Sequence, residues 1–201
     1  MTIRARFLIL LVSAVILPVA IVAIMSAYEF RKSAVDQFKE SSLSEIKKID
    51  QSFFLYLNGL AEDVKFLAQS EDIKSLDESV VNYKAPKTPP MNALGNSEVE
   101  AQAYRLLEDF GETHTDLTYV YLGMDTSGYI QWPQEDMSTY DPTVRPWYAS
   151  AKSSMNKPVR TPAYRDFTSG APILGYTHTF TTSGGIVGAV GIDVTLSKLT
   201  N

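Results

Sequence analysis

The chain has 201 residues, of which 45% are hydrophobic, 20% charged and 11% aromatic; this is enough apolar material for a folded core and excludes wholesale disorder. Eighteen basic residues against 23 acidic ones give a net charge of -5, and no run is rich in Lys or Arg, which argues against a nucleic-acid partner. The absence of cysteine excludes a disulfide scaffold and a thiol nucleophile, and the two histidines, His114 and His178, stand far apart. We therefore expect no metal site and no cofactor.

The N-terminal segment predicts a membrane span. The run Phe7 to Ala27 holds twenty-one residues without a formal charge, and as a helix it covers roughly 30 Å, the thickness of a hydrocarbon core. A cleavable signal peptide has a shorter apolar stretch of about 7 to 15 residues, so we interpret residues 7–27 as an uncleaved anchor; a long signal peptide cleaved near Ala27 is the alternative. Arg4 and Arg6 favour a cytoplasmic segment 1–6 and export of the rest.

Residues 28–81 predict a long stalk helix followed by a short helix at 70–81. From Glu29 to Gln69 there is no proline and one glycine. Apolar residues recur there at intervals of mostly three, four or seven, which is typical of one helical stripe. A parallel copy of the chain would cover such a stripe and give a homodimer; packing on its own domain is the alternative. The stripe comprises Leu43, Ile46, Phe53, Leu57, Leu60, Val64 and Leu67.

Residues 82–201 predict a mixed domain. Residues 82–96 contain three prolines and form a loop, and Ser97 then caps a helix to about Glu112, with Glu100 as its capping-box partner. Consecutive hairpins imply an antiparallel sheet with helices on its faces, so the fold class is α+β. The predicted elements that follow are strands at 117–124 and 129–132, a helix at 147–155 after Pro146, strands at 171–182 and 185–195, and the start of a helix at 197–199.

The segment Tyr140 to Tyr148 reads Tyr-Asp-Pro-Thr-Val-Arg-Pro-Trp-Tyr and is a candidate carboxylate site. Arg145 offers a planar fork that matches a carboxylate, and Tyr140 and Trp147 are rigid hydrogen-bond donors beside a helix N-terminus. The alternative is that the rings of Trp147 and Tyr148 pack in the core and that the arginine is solvated.

A second group of polar residues follows in Tyr164-Arg165-Asp166 and in the strand around Asp193. Asp193 alternates with Ala189 and Gly191, so its face of the strand carries little bulk and has room for a small ligand. An acid in that position could also cap the next helix or pair with a basic residue.

Taken together, Tyr140, Arg145, Trp147 and Tyr148, then Asp166 and Asp193, resemble the amino-acid-binding motif of double Cache sensor domains of bacterial chemoreceptors. The resemblance implies a PAS-like antiparallel sheet in a membrane-distal Cache module at residues 82–201. In that family the residues matching Tyr140, Arg145 and Trp147 hold the ligand carboxylate. Those matching Tyr148, Asp166 and Asp193 hold its ammonium, and Tyr164 resembles a further pocket tyrosine. A second module and an output region are expected after residue 201, so the chain resembles a fragment.

The resemblance implies the extracytoplasmic sensor of a methyl-accepting chemotaxis receptor in the bacterial inner membrane, with an amino acid as ligand and no enzymatic activity. The same domain also occurs in sensor regions of histidine kinases and cyclic-dinucleotide enzymes. Two other classes stay open: a hydrolase using Asp166 and Asp193 as acid and base, and a membrane tether without a ligand. Ligand screening separates these interpretations.

Overall fold

The computed structural model describes residues 3–86, 88–195 and 197–198. Its helices and strands confirm the predicted α+β class. Ser197 and Lys198 lie in a turn, and Leu199, with which the predicted last helix continues, is outside the described residues. The helices are α1 (Ile3–Gln69), α2 (Glu71–Lys74), α3 (Ala93–Asn96), α4 (Glu98–Thr113) and α5 (Pro146–Ser153), with a 3₁₀ turn at Pro142–Val144. The strands are β1 (Tyr119–Met124), β2 (Tyr129–Trp132), β3 (Val159–Arg160), β4 (Tyr164–Arg165), β5 (Pro172–Thr181) and β6 (Val187–Thr195).

The first of two compact units ends at Leu55 and contains helix α1 up to that residue. Its most apolar 18-residue window has a mean hydropathy of 3.1 and no buried residue, so by length and composition this helix is able to cross a membrane. Pro18 lies inside the helix, as is tolerated in membrane-spanning helices.

The second unit begins at Tyr56, so it includes the last turns of α1. In these turns Leu60, Val64 and Leu67 are buried in the core of the sheet domain, whereas Leu43 and Ile46 of the same stripe are exposed. The last part of the stripe, from Leu57 to Leu67, therefore packs in the core of its own domain. The boundary between stalk and ligand-binding module, which the sequence analysis places at residue 82, stays a prediction.

The sheet is antiparallel, and its strand order is β2-β1-β6-β5-β3, with β4 also paired to β5. Both predicted hairpins form, and β6 is the central strand between β1 and β5. In this register Asp193 of β6 stands between Tyr119 on one neighbour and Gly175 on the other. The acid at the middle of the sheet thus has a tyrosine on one side and a glycine, which has no side chain, on the other.

Alternation along the strands gives the sheet two different faces. One face, which we call the helix face, packs on α4 and the end of α1 and contributes Val120, Leu122, Ile130, Val190, Ile192 and Val194. The opposite face, which we call the cavity face, packs on α5 and the 3₁₀ turn and carries aromatic and polar side chains. It presents Tyr119, Tyr121, Tyr129, Gln131, Ala189, Gly191 and Asp193.

The predicted helix at 70–81 is much shorter in the structure, because residues after α2 pair with other elements. The Val81 amide donates to a carboxylate oxygen of Glu100 at 3.1 Å, and the Val81 carbonyl accepts from the Tyr129 amide at 3.1 Å. Ser97 caps α4 as predicted, since its hydroxyl accepts from the Glu100 amide. The Glu100 carboxylate, however, binds Val81 and Asn96 rather than closing a capping box.

Candidate ligand-binding site

The cavity face encloses a small polar cavity beneath α5 and the 3₁₀ turn. Gly123 permits this packing, since a Cβ at this position would lie 2.6 Å from Pro142 and 3.0 Å from Trp147. Asp141 caps the 3₁₀ turn by accepting from the Thr143 amide at 3.0 Å. The lining consists of Tyr119, Tyr121, Tyr129, Gln131, Met137, Tyr140, Arg145, Trp147, Tyr164, Asp166, Phe167, Ile173 and Asp193.

Arg145 supplies the positive charge of this cavity. Its guanidinium carbon lies 5.1 Å from the centre of the Tyr140 ring and 5.3 Å from that of Phe167, so the cation contacts two aromatic rings that themselves meet edge-on. The Nε atom of Arg145 is buried and has no hydrogen-bond partner. The ring contacts fix the guanidinium in place and leave a buried donor for an anionic group.

Asp193 supplies a buried carboxyl group to the same cavity. The residue is 1% exposed, and its Oδ2 atom accepts from the Tyr164 hydroxyl at 2.7 Å, while Tyr121 donates to Tyr164 at 3.2 Å. Burial raises the pKa of Asp193 to about 7, despite the lowering effect of the tyrosine hydroxyls. Its Oδ1 atom is buried without a partner, so the carboxylate can accept one more donor.

Asp166 lines the cavity from the loop after β4. Its Oδ2 atom accepts from the amide and from the hydroxyl of Ser169, each at 2.6 Å. The Tyr119 hydroxyl reaches the same oxygen at 3.3 Å. These contacts hold the carboxylate at the edge of the site and leave it partly exposed.

Tyr140 and Trp147 form a pair inside the cavity. The indole Nε1 of Trp147 donates to the Tyr140 hydroxyl at 3.0 Å, and both side chains are buried. The indole donor is therefore already occupied by the tyrosine, so Trp147 orients Tyr140 in this arrangement. This differs from the direct contact with a ligand that the family resemblance implies for Trp147.

Tyr148 lies outside the cavity lining. Its hydroxyl donates to Oδ1 of Asp125 at 2.6 Å, and Lys152 pairs with the other oxygen of that carboxylate at 3.0 Å. The ring remains in the core of the cavity face and stacks edge-on against Trp147. The structure thus brings the other six predicted site residues together and directs the Tyr148 hydroxyl elsewhere.

Several lining residues were not predicted from the sequence. The strongest missed signal is the alternation in β1 and β2, where Tyr119, Tyr121 and Tyr129 alternate with apolar residues. Read with the position of Asp193, that alternation would have placed three tyrosines on the acidic face. The missed residues are Tyr119, Tyr121, Tyr129, Gln131, Met137, Phe167 and Ile173.

The lining side chains pack closely around the site. The free space between them is about 10 Å³, which is the room of one water molecule. Phe167 is the aromatic wall nearest to solvent, being 39% exposed, and it contacts both Tyr140 and Arg145. A ligand larger than water would therefore have to displace side chains, with Phe167 the least buried of these rings.

No group of three or more His, Asp and Glu side chains in the described ranges 3–86, 88–195 and 197–198 is arranged to hold a metal ion. The cavity offers one guanidinium, carboxylates and tyrosine hydroxyls. These groups bind polar organic ions by hydrogen bonds.

Residues 91–201, just over half of the chain, match the family model described as the methyl-accepting chemotaxis protein-like first PDC sensor domain. A probable methyl-accepting chemotaxis protein of Bacillus thuringiensis subsp. konkukian is 28% identical over 96 residues, which are 47% of this chain and 14% of that protein. This chain thus spans about one seventh of the length of that relative.

The solved structures that this chain resembles include ligand-binding domains of chemoreceptors. The ligand-binding domain of the Pseudomonas aeruginosa amino acid chemoreceptor PctC, in complex with GABA, is 25% identical with a TM-score of 0.55. The similarity covers 81% of this chain and 63% of that one. The ligand-binding domain of the Campylobacter jejuni chemoreceptor Tlp3, in complex with 4-methylisoleucine, is 20% identical with a TM-score of 0.47, covering 79% and 55% of the two chains.

Proposed function

Because the chain belongs to the family of methyl-accepting chemotaxis protein-like first PDC sensor domains, we propose that it binds an amino acid through the ligand's α-carboxylate and α-ammonium groups. Its relatives are chemoreceptors, and binding of this kind requires no reaction. The PctC domain, which has a related fold, was solved with GABA, an amino acid that carries a carboxylate and an ammonium group, the latter on its γ carbon.

One observation carries the proposal. Arg145 and Asp193 have opposite charges, line one cavity, and each has a buried polar atom without a hydrogen-bond partner. An unpaired buried polar atom costs about 1 to 3 kcal/mol, and more when the group is charged. A ligand that carries both charges removes the two penalties together.

We assign the carboxylate to Arg145 and Tyr140, and the ammonium to Asp193 and Tyr164. Trp147 supports Tyr140 through the indole hydrogen bond. Charge-assisted hydrogen bonds contribute about 1.5 to 3 kcal/mol each. A micromolar dissociation constant needs about 8 kcal/mol in total, so a handful of these contacts is sufficient.

The two remaining residues of the family motif receive other roles. Asp166 flanks the ammonium position, since its charge contributes to the raised pKa of Asp193. Tyr148 stabilises the domain around the cavity and does not contact the ligand, because its hydroxyl donates to Asp125.

The wider setting of the proposal is a receptor in the bacterial inner membrane. Residues 7–27 would cross the bilayer with the N-terminus in the cytoplasm, and the sheet domain would face the periplasm. The exposed part of the stripe, at Leu43 and Ile46, would pair with a second copy of the chain. Binding would produce a signal only if it favoured one of two arrangements of that pair.

The test is isothermal titration of the twenty amino acids and GABA into the full chain in lipid nanodiscs. We expect at least one ligand to bind at micromolar concentration, and Arg145→Ala and Asp193→Asn each to weaken it at least a hundredfold. Arg160→Ala, which removes an exposed arginine on β3, is the matched control and should bind normally. Absence of binding by every ligand would contradict the proposal and favour a membrane tether.

A further inference from the structure

Phe167 closes the side of the cavity that faces solvent. It is 39% exposed, which makes it the most exposed of the described residues that line the cavity. Its ring meets the Tyr140 ring edge-on with the ring centres 5.1 Å apart, and the guanidinium carbon of Arg145 lies 5.3 Å from its centre. Tyr140 and Arg145 are the two residues that we assign to the ligand's carboxylate. The ring of Phe167 therefore covers the carboxylate end of the proposed site.

Phe167 is also the wall of the cavity that is easiest to move. The buried Tyr140 hydroxyl accepts from the Trp147 indole, and Tyr140 is fixed by that bond. The Tyr164 hydroxyl is held in the same way by Asp193. The side chain of Phe167 has no polar atom, so it is held by apolar and ring contacts. An edge-on ring pair and a contact between a guanidinium and a ring each shift an equilibrium by about two- to tenfold.

The backbone beneath Phe167 forms a tight turn between β4 and β5. The Asp166 amide donates to the Ala171 carbonyl at 2.9 Å, and the Gly170 amide donates to the Asp166 carbonyl at 3.1 Å. These hydrogen bonds fix the backbone of the turn. The two residues that follow Phe167 are exposed, so its ring can rotate towards solvent into another side-chain rotamer while the turn stays intact.

We infer that Phe167 is the gate of this cavity: its ring blocks access to Arg145 and Tyr140, and an amino acid binds only after the ring has rotated outwards. This inference rests on the proposed function and adds how access to the site is controlled. The free space between the lining side chains is about 10 Å³, the room of one water molecule, so a ligand carboxylate reaches Arg145 only if the ring gives way. Binding must break the contacts of the ring with Tyr140 and Arg145, and this lowers the affinity.

The first test needs no ligand, because the fluorescence of Trp147 reports on access to the cavity. Trp147 is 1% exposed, and the second of the two tryptophans of the chain is removed by Trp132→Phe. In this background, with the full chain in detergent micelles, we expect Phe167→Ala to increase quenching by acrylamide at least twofold. Phe66→Ala is the matched control and should leave quenching unchanged, because Phe66 is 61% exposed on α1, outside the cavity lining. Unchanged quenching in Phe167→Ala would overturn the inference.

The second test measures the competition between the ring and the ligand. The twenty amino acids and GABA are titrated calorimetrically into the full chain in nanodiscs. We expect Phe167→Ala to bind every amino acid that the wild type binds about three- to tenfold more tightly, because the ring contacts no longer have to be broken. Phe167→Leu, which keeps apolar bulk without a ring, should change affinity in the same direction and replaces Phe167→Ala if that variant has a lowered melting temperature.

The outcomes separate the gate from the proposed function. Equal or weaker binding by both variants at position 167, with unchanged melting temperatures, would mean that the ring does not oppose binding. That result would overturn the inference and leave the proposed function standing. Failure of every amino acid to bind the wild type and both variants would contradict the proposed function, and the quenching of Trp147 alone would then decide whether Phe167 closes the cavity.

Discussion

The two faces of the sheet are built from the same strands and differ in what they leave unsatisfied. On the helix face, Val120, Leu122 and Ile192 are fully buried among other apolar side chains. On the cavity face, Asp193 is just as deeply buried but keeps an oxygen without a partner. Apolar burial stabilises a domain, whereas an unpaired buried charge costs stability. We therefore expect stability to depend on the helix face and ligand affinity on the cavity face.

The largest effect should come from the helix face. Leu122→Ala removes a side chain with no exposed surface, and we expect the free energy of unfolding to fall by about 2 to 5 kcal/mol. Chemical denaturation measures this loss. Leu94→Ala, at a side chain that is 46% exposed, should change it by less than about 1 kcal/mol. A loss below 1 kcal/mol for Leu122→Ala would break the comparison.

A conservative change on the cavity face should affect affinity instead. Arg145→Lys keeps the charge but loses the planar fork and its contacts with the rings of Tyr140 and Phe167. We expect affinity to fall roughly 10- to 100-fold, with an unchanged unfolding midpoint. Calorimetric titration measures the affinity, and a melting curve of the same preparation measures the unfolding midpoint. If this variant bound the ligand with full affinity, the guanidinium of Arg145 would not contact the ligand.

The cost of the buried acid should itself be measurable. The folded pKa of Asp193, about 7, lies above its ordinary value of 3.8, so between these values the folded state holds the proton more tightly. The stability contributed by this group is therefore lost as the pH rises through 7.

From pH 5 to pH 8 the unliganded wild type should lose on the order of 2 kcal/mol relative to Asp193→Asn, which cannot ionise. Denaturation of both proteins at the two pH values gives the difference. A constant difference would show that Asp193 does not titrate in this window.

The smallest effect concerns Tyr148, which belongs to the cavity face but does not line the cavity. Tyr148→Phe removes the hydrogen bond to Asp125 and should lower the free energy of unfolding by about 1 kcal/mol. Ligand affinity should change less than threefold, as measured by titration. A tenfold loss of affinity would indicate that the Tyr148 hydroxyl contacts the ligand directly.

The sequence predicts the elements of this fold better than their pairing. The alternation around Asp193 separates the two faces of β6 correctly, because the period of a strand is local information. The position of β6 between β1 and β5 depends on contacts between distant segments, which no local pattern contains. β3 and β4 were missed because each has two residues, too few to show a period.

The site shows the same limit. The residue types in the segment 140–148 indicate an anion-binding group, and the structure places Arg145 in the cavity. The hydrogen bond from Tyr148 to Asp125, which directs that hydroxyl away from the cavity, could not be predicted. The two residues are 23 positions apart in sequence and meet only in the folded domain. The bare surface predicted around Asp193 is also partly occupied, because a Cβ on Gly191 would lie 2.5 Å from the ring of Tyr121.

The position of Asp193 in the central strand has a mechanical consequence. Its chain neighbours, Ile192 and Val194, project to the other side of the sheet, into the core that also contains Val64 and Leu67 of α1. A single layer of backbone therefore separates the acid from that helix. Any shift of the strand that draws the acid towards a cation must move the two aliphatic side chains in the same step. A movement caused by a ligand at Asp193 would thus reach the opposite side of the sheet directly through the adjacent residues, without a relay of other side chains.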